Sequence, residues 1–285
     1  MNLTIREAAP GDALECGRIC YEAFKAIALE HNFPPDFASI EAAAGLIASM
    51  IGRPGIYGVV AELEGKIAGS NFQDERDPVA GIGPISIDPR AQNHGIGGRL
   101  MRAVIEHASS KGAPAIRLVQ AGYHCRSLSL YAKLGFNVRE HLSCMQGAAI
   151  GEAIPGYRVR SAVAGDLEAC CLLCARVHGF ARRAELSAAI RRGSATVVER
   201  AGRLTGYATA LAYFAHAVAE TNDDLQALIA AASAFEGPGI LIPSRNGELM
   251  RWCLAKGLRV VQPLTLMTIG LYSEPAGAWL PSILY

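Results

Sequence analysis

Although 51% of its residues are hydrophobic, this 285-residue chain has no apolar run long enough to span a bilayer. It also lacks an excess of either charge. Its 27 Lys and Arg face 26 Asp and Glu, a formal net charge of +1, so no basic field points to nucleic acid and no acidic field to a polycation. A secretory leader is not expected, because the opening Met1–Arg6 has a strand-like pattern with acidic residues soon after. Cysteine is not scarce, at eight residues, but paired metal-ligand spacing is missing. Cys170, Cys171 and Cys174 fall in a helical stretch, Glu168–Ala175, with no second pair to follow, and are predicted to be small buried hydrophobes. These absences predict a cytoplasmic protein with reduced thiols, no metal, no nucleic acid and no membrane partner. The length allows one large core or two ordinary ones.

What is present is most informative at Gln92-Asn93-His94-Gly95-Ile96-Gly97-Gly98-Arg99-Leu100. Upstream, Ile82–Ile87 is a short apolar run with β-branched residues, predicting a strand that Asp88-Pro89 ends. Downstream, Ile96, Leu100, Val104 and Ala108 repeat at helical spacing, with Met101 and Ile105 beside them, until Lys111-Gly112. A glycine-rich turn therefore feeds a strand into the first turn of an amphipathic helix. Unsatisfied N–H groups and the positive end of the helix dipole favour an anion there. Without side chains at Gly95, Gly97 and Gly98, a phosphate could approach the backbone closely. A turn that is merely tight would look the same in isolation.

A second motif follows another apolar strand, Ala115–Val119. It reads His124-Cys125-Arg126-Ser127-Leu128-Ser129-Leu130-Tyr131-Ala132-Lys133-Leu134-Gly135-Phe136. Together the two motifs resemble the GNAT superfamily of N-acetyltransferases over roughly residues 3–147. Gln92, Gly95 and Gly97 match its Gln/Arg-x-x-Gly-x-Gly/Ala signature, and Leu130 to Phe136 match its Leu-Tyr-x-Lys-Leu-Gly-Phe segment. The resemblance implies acetyl-coenzyme A as cosubstrate. Main-chain groups of Ile85, Ser86 and Ile87 would lie along the pantetheine arm, and Asn93, His94, Gly95, Ile96, Gly97 and Gly98 would wrap the pyrophosphate, with Gln92 opening the turn. Tyr131 would be the general acid that protonates the departing thiolate.

Two departures from the family pattern stand out. His124 occupies a position where the family often has Asn, so an amide contact becomes an imidazole contact or none. Val119 replaces a Glu found in some members, so a general base would have to come from water, from Asp74, Glu75 or Asp77, or from Glu30 or His31. The acidic run Asp74–Asp77 reads either as a solvated turn or as an attractor for a cationic substrate. Phe33 and Phe37, in the proline-stiffened segment Glu30–Phe37, either line a substrate pocket or staple two helices.

The chain also repeats itself. Ile5, Gly11-Asp12, Cys16 and Cys20 recur as Val159, Gly165-Asp166, Cys170 and Cys174 at a constant offset of 154. Gly65–Gly69 recur as Gly202–Gly206 at an offset of 137, and Gly135, Val138, Leu142 and Met145 recur at 122. Ordered anchors with shrinking offsets imply a duplication whose second copy has lost loop residues. That copy lacks the glycine turn, offering Glu220-Thr221-Asn222-Asp223 before a helix over 224–234 that Asn222 or Asp223 would cap, and Trp252-Cys253-Leu254 near the place of Tyr131.

The expected fold class is α/β (mixed α+β): two tandem GNAT-like domains, each a mostly antiparallel mixed sheet flanked by helices. The first, 1–149, is expected to be catalytic and to bind acetyl-coenzyme A; the second, 155–285, degenerate. The expected reaction is acetyl transfer to a primary amine by direct attack in a ternary complex, the amine being a small molecule or part of a peptide. Phe33 and Glu75 are the candidate acceptor contacts. A non-catalytic acyl-coenzyme A sensor is the alternative, and a homodimer stays open.

Overall fold

The structure, a computed structural model, describes residues 2–285. In chain order the elements are β1 (Leu3–Glu7), α1 (Ala13–Glu30), α2 (Ile40–Met50), β2 (Ile56–Leu63), β3 (Lys66–Asp74), β4 (Val79–Ile87), α3 (Ile96–Ser110), β5 (Ala115–Ala121), α4 (Cys125–Lys133) and β6 (Asn137–Gln146). Then follow β7 (Tyr157–Ser161), α5 (Leu167–His178), α6 (Arg183–Arg192), β8 (Thr196–Arg200), β9 (Arg203–Ala208), β10 (Ala217–Ala219), α7 (Asn222–Ala230), β11 (Ile240–Pro243), α8 (Gly247–Ala255), β12 (Arg259–Gly270) and β13 (Ala278–Leu280). One sheet has eight strands in the order β1-β2-β3-β4-β5-β12-β6-β11, and the other five in the order β13-β10-β9-β8-β7. The eight-stranded sheet is mixed, with β4 and β5 parallel, and both sheets are flanked by helices, which matches the expected α/β class; the five-stranded sheet is antiparallel throughout, where a mixed sheet was expected.

The chain divides into two compact units: residues 1–137 with 267–270 and 284–285, and residues 138–266 with 271–283. The division does not follow the duplication strand for strand. β6 ends the first repeat, yet it pairs antiparallel with β11 inside the second unit, Met145 opposite Ile240 and Leu142 opposite Pro243. The last residues of β12, from the second repeat, lie in the first unit beside β5, where the Thr268 hydroxyl donates to the Ile116 carbonyl at 3.1 Å. The repeats have exchanged their last strands.

The duplication is visible atom by atom. In the first unit Arg6 donates to both oxygens of Asp12, at 2.7 and 2.9 Å, and to Glu62 at 2.8 Å. In the second, Arg160 does the same with Asp166, at 2.7 and 2.8 Å, and with Glu199 at 2.8 Å. In both, the Asp carboxylate accepts from a backbone N–H three residues earlier, Ala9 or Val163, fixing the entry into the first long helix.

In the first unit α3 buries Ile96, Leu100, Met101, Val104 and Ala108 against Val59, Ala61, Ile82, Ile116 and Leu118 of the sheet. Each large side chain so buried contributes roughly 1.5–3 kcal/mol. The opposite face of the sheet packs Phe72 and Val60 against Cys16, Ile47 and Met50 of α1 and α2. All eight cysteines are unbridged; seven are buried and only Cys125 is exposed, as expected of small apolar side chains. The helix expected over 224–234 runs instead over Asn222–Ala230. Its cap is Thr221, not Asn222 or Asp223, because Thr221 and Asp224 form a capping box whose two side chains each accept from the other's N–H.

Candidate active site

The site begins where β4 leaves β5. The two pair in parallel only over Val79–Gly81 and Ala115–Arg117. β4 continues to Ile87 and β5 to Ala121, and among the described residues no ladder partner joins them beyond Gly81 and Arg117. On its other side β4 pairs with β3, but the register slips: Asn71 to Gln73 is opposed by Ile85 to Ile82, leaving one extra residue on β4 at Gly83-Pro84. Pro84 has no N–H to give a ladder, and a bulge bends the strand that carries it. The result is a cleft between β4 and β5, in which the main-chain groups of β4 that face β5 have no ladder partner beyond Gly81 among the described residues. Ile85 and Ile87 are half-buried along it, while Ser86 is buried opposite Ser70 of β3.

At the outer end of the cleft the chain turns into α3. Asp88 stops β4: its carboxylate accepts from the Arg90 N–H at 2.9 Å and holds the Arg90 guanidinium at 2.7 Å, with Arg18 at 3.4 Å. The Arg90 contact, ahead of all others, holds the Asp88 pKa down to about 2. Asn93 (φ 69°) and Gly95 (φ 76°) adopt left-handed backbone, and Gly95 is the N-cap of α3. No side chain caps that terminus. The N–H groups of Ile96, Gly97 and Gly98 thus have no carbonyl four residues back within the helix, at the positive end of a 15-residue dipole. A Cβ built on Gly97 would lie 3.3 Å from the Ile87 Cδ1 and 3.4 Å from the Leu130 Cδ2. The bare backbone of Gly97 therefore faces the gap between β4 and α4.

Gln92 and Asn93 brace this turn. Gln92 donates to the Ile87 carbonyl at 3.4 Å, and Arg126 of α4 donates to both the Gln92 and Asn93 side-chain oxygens, the latter at 3.2 Å. His94 is exposed, with its Nδ1 3.2 Å from the Ala91 carbonyl. Arg126 was not among the sequence candidates. Its exposed guanidinium sets a positive charge at the glycine turn, and its place one residue into a helix beside the family motif was the available signal.

The other wall is the β5–α4 junction. His124 caps α4; its Nε2 is buried and has no hydrogen-bond partner. Burial first, then Arg126 and His31, pushes its pKa down to about 4, so the ring is neutral near pH 7. Gln120 of β5 accepts from the Ser127 hydroxyl at 2.7 Å, leaving its own buried Nε2 without a partner. Ser127 and Tyr131 lie one helical turn apart on the same face of α4. The Tyr131 ring is buried, 6.1 Å from the Phe136 ring centroid, and among the described residues its hydroxyl has no hydrogen-bond partner. Burial alone drives its pKa well above the ordinary phenol value.

The two phenylalanines of the early segment separate. Phe37 packs edge-on against Phe24 of α1 at 5.8 Å. Phe33 stacks on Tyr123 at 4.3 Å with 10° between planes, next to His124. Tyr123, another residue missed in the sequence, is pushed up to about 12 by burial and then by Asp36. The acidic run is engaged elsewhere. Asp74 holds Arg76 at 2.8 Å, and Glu75 lies 2.9 Å from His107 in the last turn of α3, whose ring stacks on Tyr57. The structure thus brings together Ile85–Ile87, Gln92–Gly98, His124 and Tyr131, with Phe33 at the edge, and leaves Glu75 bound to His107.

In the second unit the corresponding cleft is taken by the chain itself. β13 pairs antiparallel with β10, Trp279 opposite Val218, along the edge that β4 leaves open in the first unit. Thr221 and Asp224 close the N-terminus of α7 from within. Glu220 beside it is occupied by Arg203 and Arg176, the latter at 3.1 Å. That terminus is capped where α3 is bare. Among the described residues no His, Cys, Asp and Glu group could hold a metal ion, and no helix is long and apolar enough to cross a membrane.

The uncapped glycine turn, the open β4/β5 cleft and the helix-borne Tyr131 all fall within the segment that a family model matches. The model of the acetyltransferase (GNAT) family matches residues 21–136, most of the first repeat, and that match marks the protein as an acyltransferase. Among solved structures, a Pyrococcus horikoshii protein described as an acetyltransferase aligns over 99% of this chain and 92% of its own, with a TM-score of 0.73 at 20% identity. A GCN5-related N-acetyltransferase from Sphaerobacter thermophilus aligns over 97% and 98%, with a TM-score of 0.63 at 14% identity. At these identities the likeness is one of fold, and it extends through both repeats. No curated protein matches the sequence.

Proposed function

We propose that the first repeat, residues 1–149, is an acetyl-coenzyme A-dependent N-acetyltransferase, that its amine acceptor attacks directly in a ternary complex, and that the second repeat, 155–285, is degenerate. The observation that carries this reading is the pairing of an uncapped α3 N-terminus with a cleft whose β4 edge has unpaired main-chain groups. The residues present fit acetyl-coenzyme A. Amides of Gly95–Gly98 suit a diphosphate, with Arg126 and the Asn93–Ile96 backbone around it. The free edge of Ile85–Ile87 suits an extended arm carrying two amides, and the lone Nε2 atoms of Gln120 and His124 lie buried in the facing wall. When bound, acetyl-coenzyme A supplies an acyl group already activated as a thioester.

Burial keeps the Tyr131 Oη protonated across the working pH range, so it holds the proton that a departing thiolate needs. A phenol of raised pKa can give that proton up because a thiolate formed in the same dry surroundings is raised as well. Main-chain N–H groups near Ile85 would stabilise developing negative charge on oxygen. His124 holds no proton near pH 7 and, at a pKa of about 4, is too weak to deprotonate an ammonium. Phe33 and Tyr123 offer an apolar edge to the acceptor. We assign no general base. The unbridged thiols suit a reducing, cytoplasmic setting.

The test is calorimetric titration with acetyl-coenzyme A, followed by thiol release over a panel of amines, including free amino acids, polyamines and peptides. Binding at one site per chain with amine-dependent release supports the enzyme. Tight binding without turnover supports the sensor reading, which the absence of an acid at Val119 favours. Absence of binding removes both.

A further inference from the structure

The cleft has an inner end, and its occupant comes from far along the chain. β4 and β5 converge at Gly81 and Arg117, which are register partners. A Cβ built on Gly81 would lie 2.6 Å from the Leu284 carbonyl oxygen and 3.4 Å from the Tyr285 Cβ, and one on Gly83 would lie 3.6 Å from the Leu284 Cδ2. Leu284 therefore rests directly on the strand at the closed end of the cleft. Tyr285 fixes it there. Only 5% exposed, Tyr285 lies under the Arg117 guanidinium, 4.7 Å from its ring centroid, and Arg117 donates to its hydroxyl. Arg117 is itself 3% exposed. Residues 284 and 285 thus bridge the two strands where they meet, within the first unit.

We propose that Leu284, clamped over Gly81 and Gly83 by the contact of Tyr285 with Arg117, limits the acyl group this site accepts to short chains. The inference rests on the acetyltransferase reading above and adds to it the acyl specificity. From Ile87, beside the glycine turn, to Gly83 is four strand residues, on the order of 13 Å. An extended arm anchored at that turn and lying on β4 points its acyl end at Gly83. There it meets the Leu284 isobutyl group. A two-carbon acyl group stops short of it, whereas longer chains must displace a side chain that lies on Gly83 and whose backbone is held against Gly81.

The experiment is calorimetry of acetyl- and butyryl-coenzyme A on the full chain, comparing wild type with Leu284→Ala, Leu284→Phe and Tyr285→Ala. The readout is the ratio of the two dissociation constants, which needs no acceptor. Wild type is expected to prefer acetyl over butyryl by roughly ten- to hundredfold, the usual penalty for forcing carbon atoms into a filled space. Leu284→Ala, which removes about three carbon atoms, and Tyr285→Ala, which unclamps Leu284, should each bring the ratio to within about threefold. Leu284→Phe should push it the other way, so a single misfolded variant does not decide the matter. An unchanged ratio in all three variants, with acetyl-coenzyme A still bound, overturns the role of Leu284 and leaves the acetyltransferase reading standing. Failure of wild type to bind acetyl-coenzyme A overturns both.

Discussion

Gly97→Ala should separate the stability of the first unit from its affinity for acetyl-coenzyme A. Gly97 is the second residue of α3, in helical conformation, so alanine is favoured there by up to roughly 1 kcal/mol on propensity alone. The new methyl would meet two side-chain methyl groups, Ile87 Cδ1 at 3.3 Å and Leu130 Cδ2 at 3.4 Å. These give by a few tenths of an ångström, at a cost of about the same size. The melting temperature should therefore move by no more than about 4 °C in either direction. Affinity should respond quite differently. The methyl projects into the gap between β4 and α4, in the first turn of α3. Holding a diphosphate off one or two charge-assisted hydrogen bonds costs roughly 1.5–3 kcal/mol, or about ten- to hundredfold in dissociation constant. Differential scanning fluorimetry and calorimetry on the same preparation read both quantities. A Gly97→Ala variant with unchanged melting and unchanged affinity would show that the glycine turn is only a turn.

Tyr131→Phe should lower kcat by roughly two to four orders of magnitude while changing the acetyl-coenzyme A dissociation constant less than about threefold; an unchanged rate removes the phenol from the chemistry. Because burial raises the Tyr131 pKa, the wild-type rate should show no alkaline decline from this group below about pH 10, which a kcat profile between pH 7 and 10 checks. Arg126→Ala should weaken coenzyme A binding by about three- to tenfold, with a smaller effect at high salt, as calorimetry at two ionic strengths would show. His124 has its pKa lowered from 6.5 to about 4, so its neutral form supports folding above pH 6.5 and that support drains away as pH falls toward 4. Denaturant midpoints at pH 7 and 4.5 should therefore differ less in His124→Gln than in wild type, by about 1 kcal/mol after allowance for solvent access.

The sequence foretold the local elements more completely than their assembly. Ile82–Ile87, the turn at Gly95 and the helix from Ile96 were all readable, because a β-branched run, left-handed glycine and 3.6-residue periodicity are local properties. The duplication was readable as well, and the twin ion clusters of Arg6 and Arg160 show why its anchors recur: the same Arg–Asp–Glu arrangement fixes the start of both repeats. What escaped was long-range. Offsets reveal which segments correspond but not which copy they pair with, so the exchange of β6 and β12 left no trace in the repeat pattern. Nothing local in the apolar stretch Ala276–Tyr285 announces that Ala278–Leu280 would fill the second cleft while Leu284 closes the first. Thr221 was passed over as a cap because Asn222 and Asp223 compete on propensity, and only the reciprocal bonds with Asp224 decide among them. Glu75 looked free to meet a substrate because its partner, His107, is thirty-two residues away.

The central claim is that the α3 N-terminus and the β4/β5 cleft of the first repeat hold acetyl-coenzyme A. A crystal structure of the full chain grown with coenzyme A tests it most directly. The account predicts one molecule per chain, with its diphosphate on the amides of Gly95–Gly98, its arm along Ile85–Ile87 and its sulfur facing Tyr131. A diphosphate found at the start of α7, or a β4 edge left bare at saturating ligand, would contradict it.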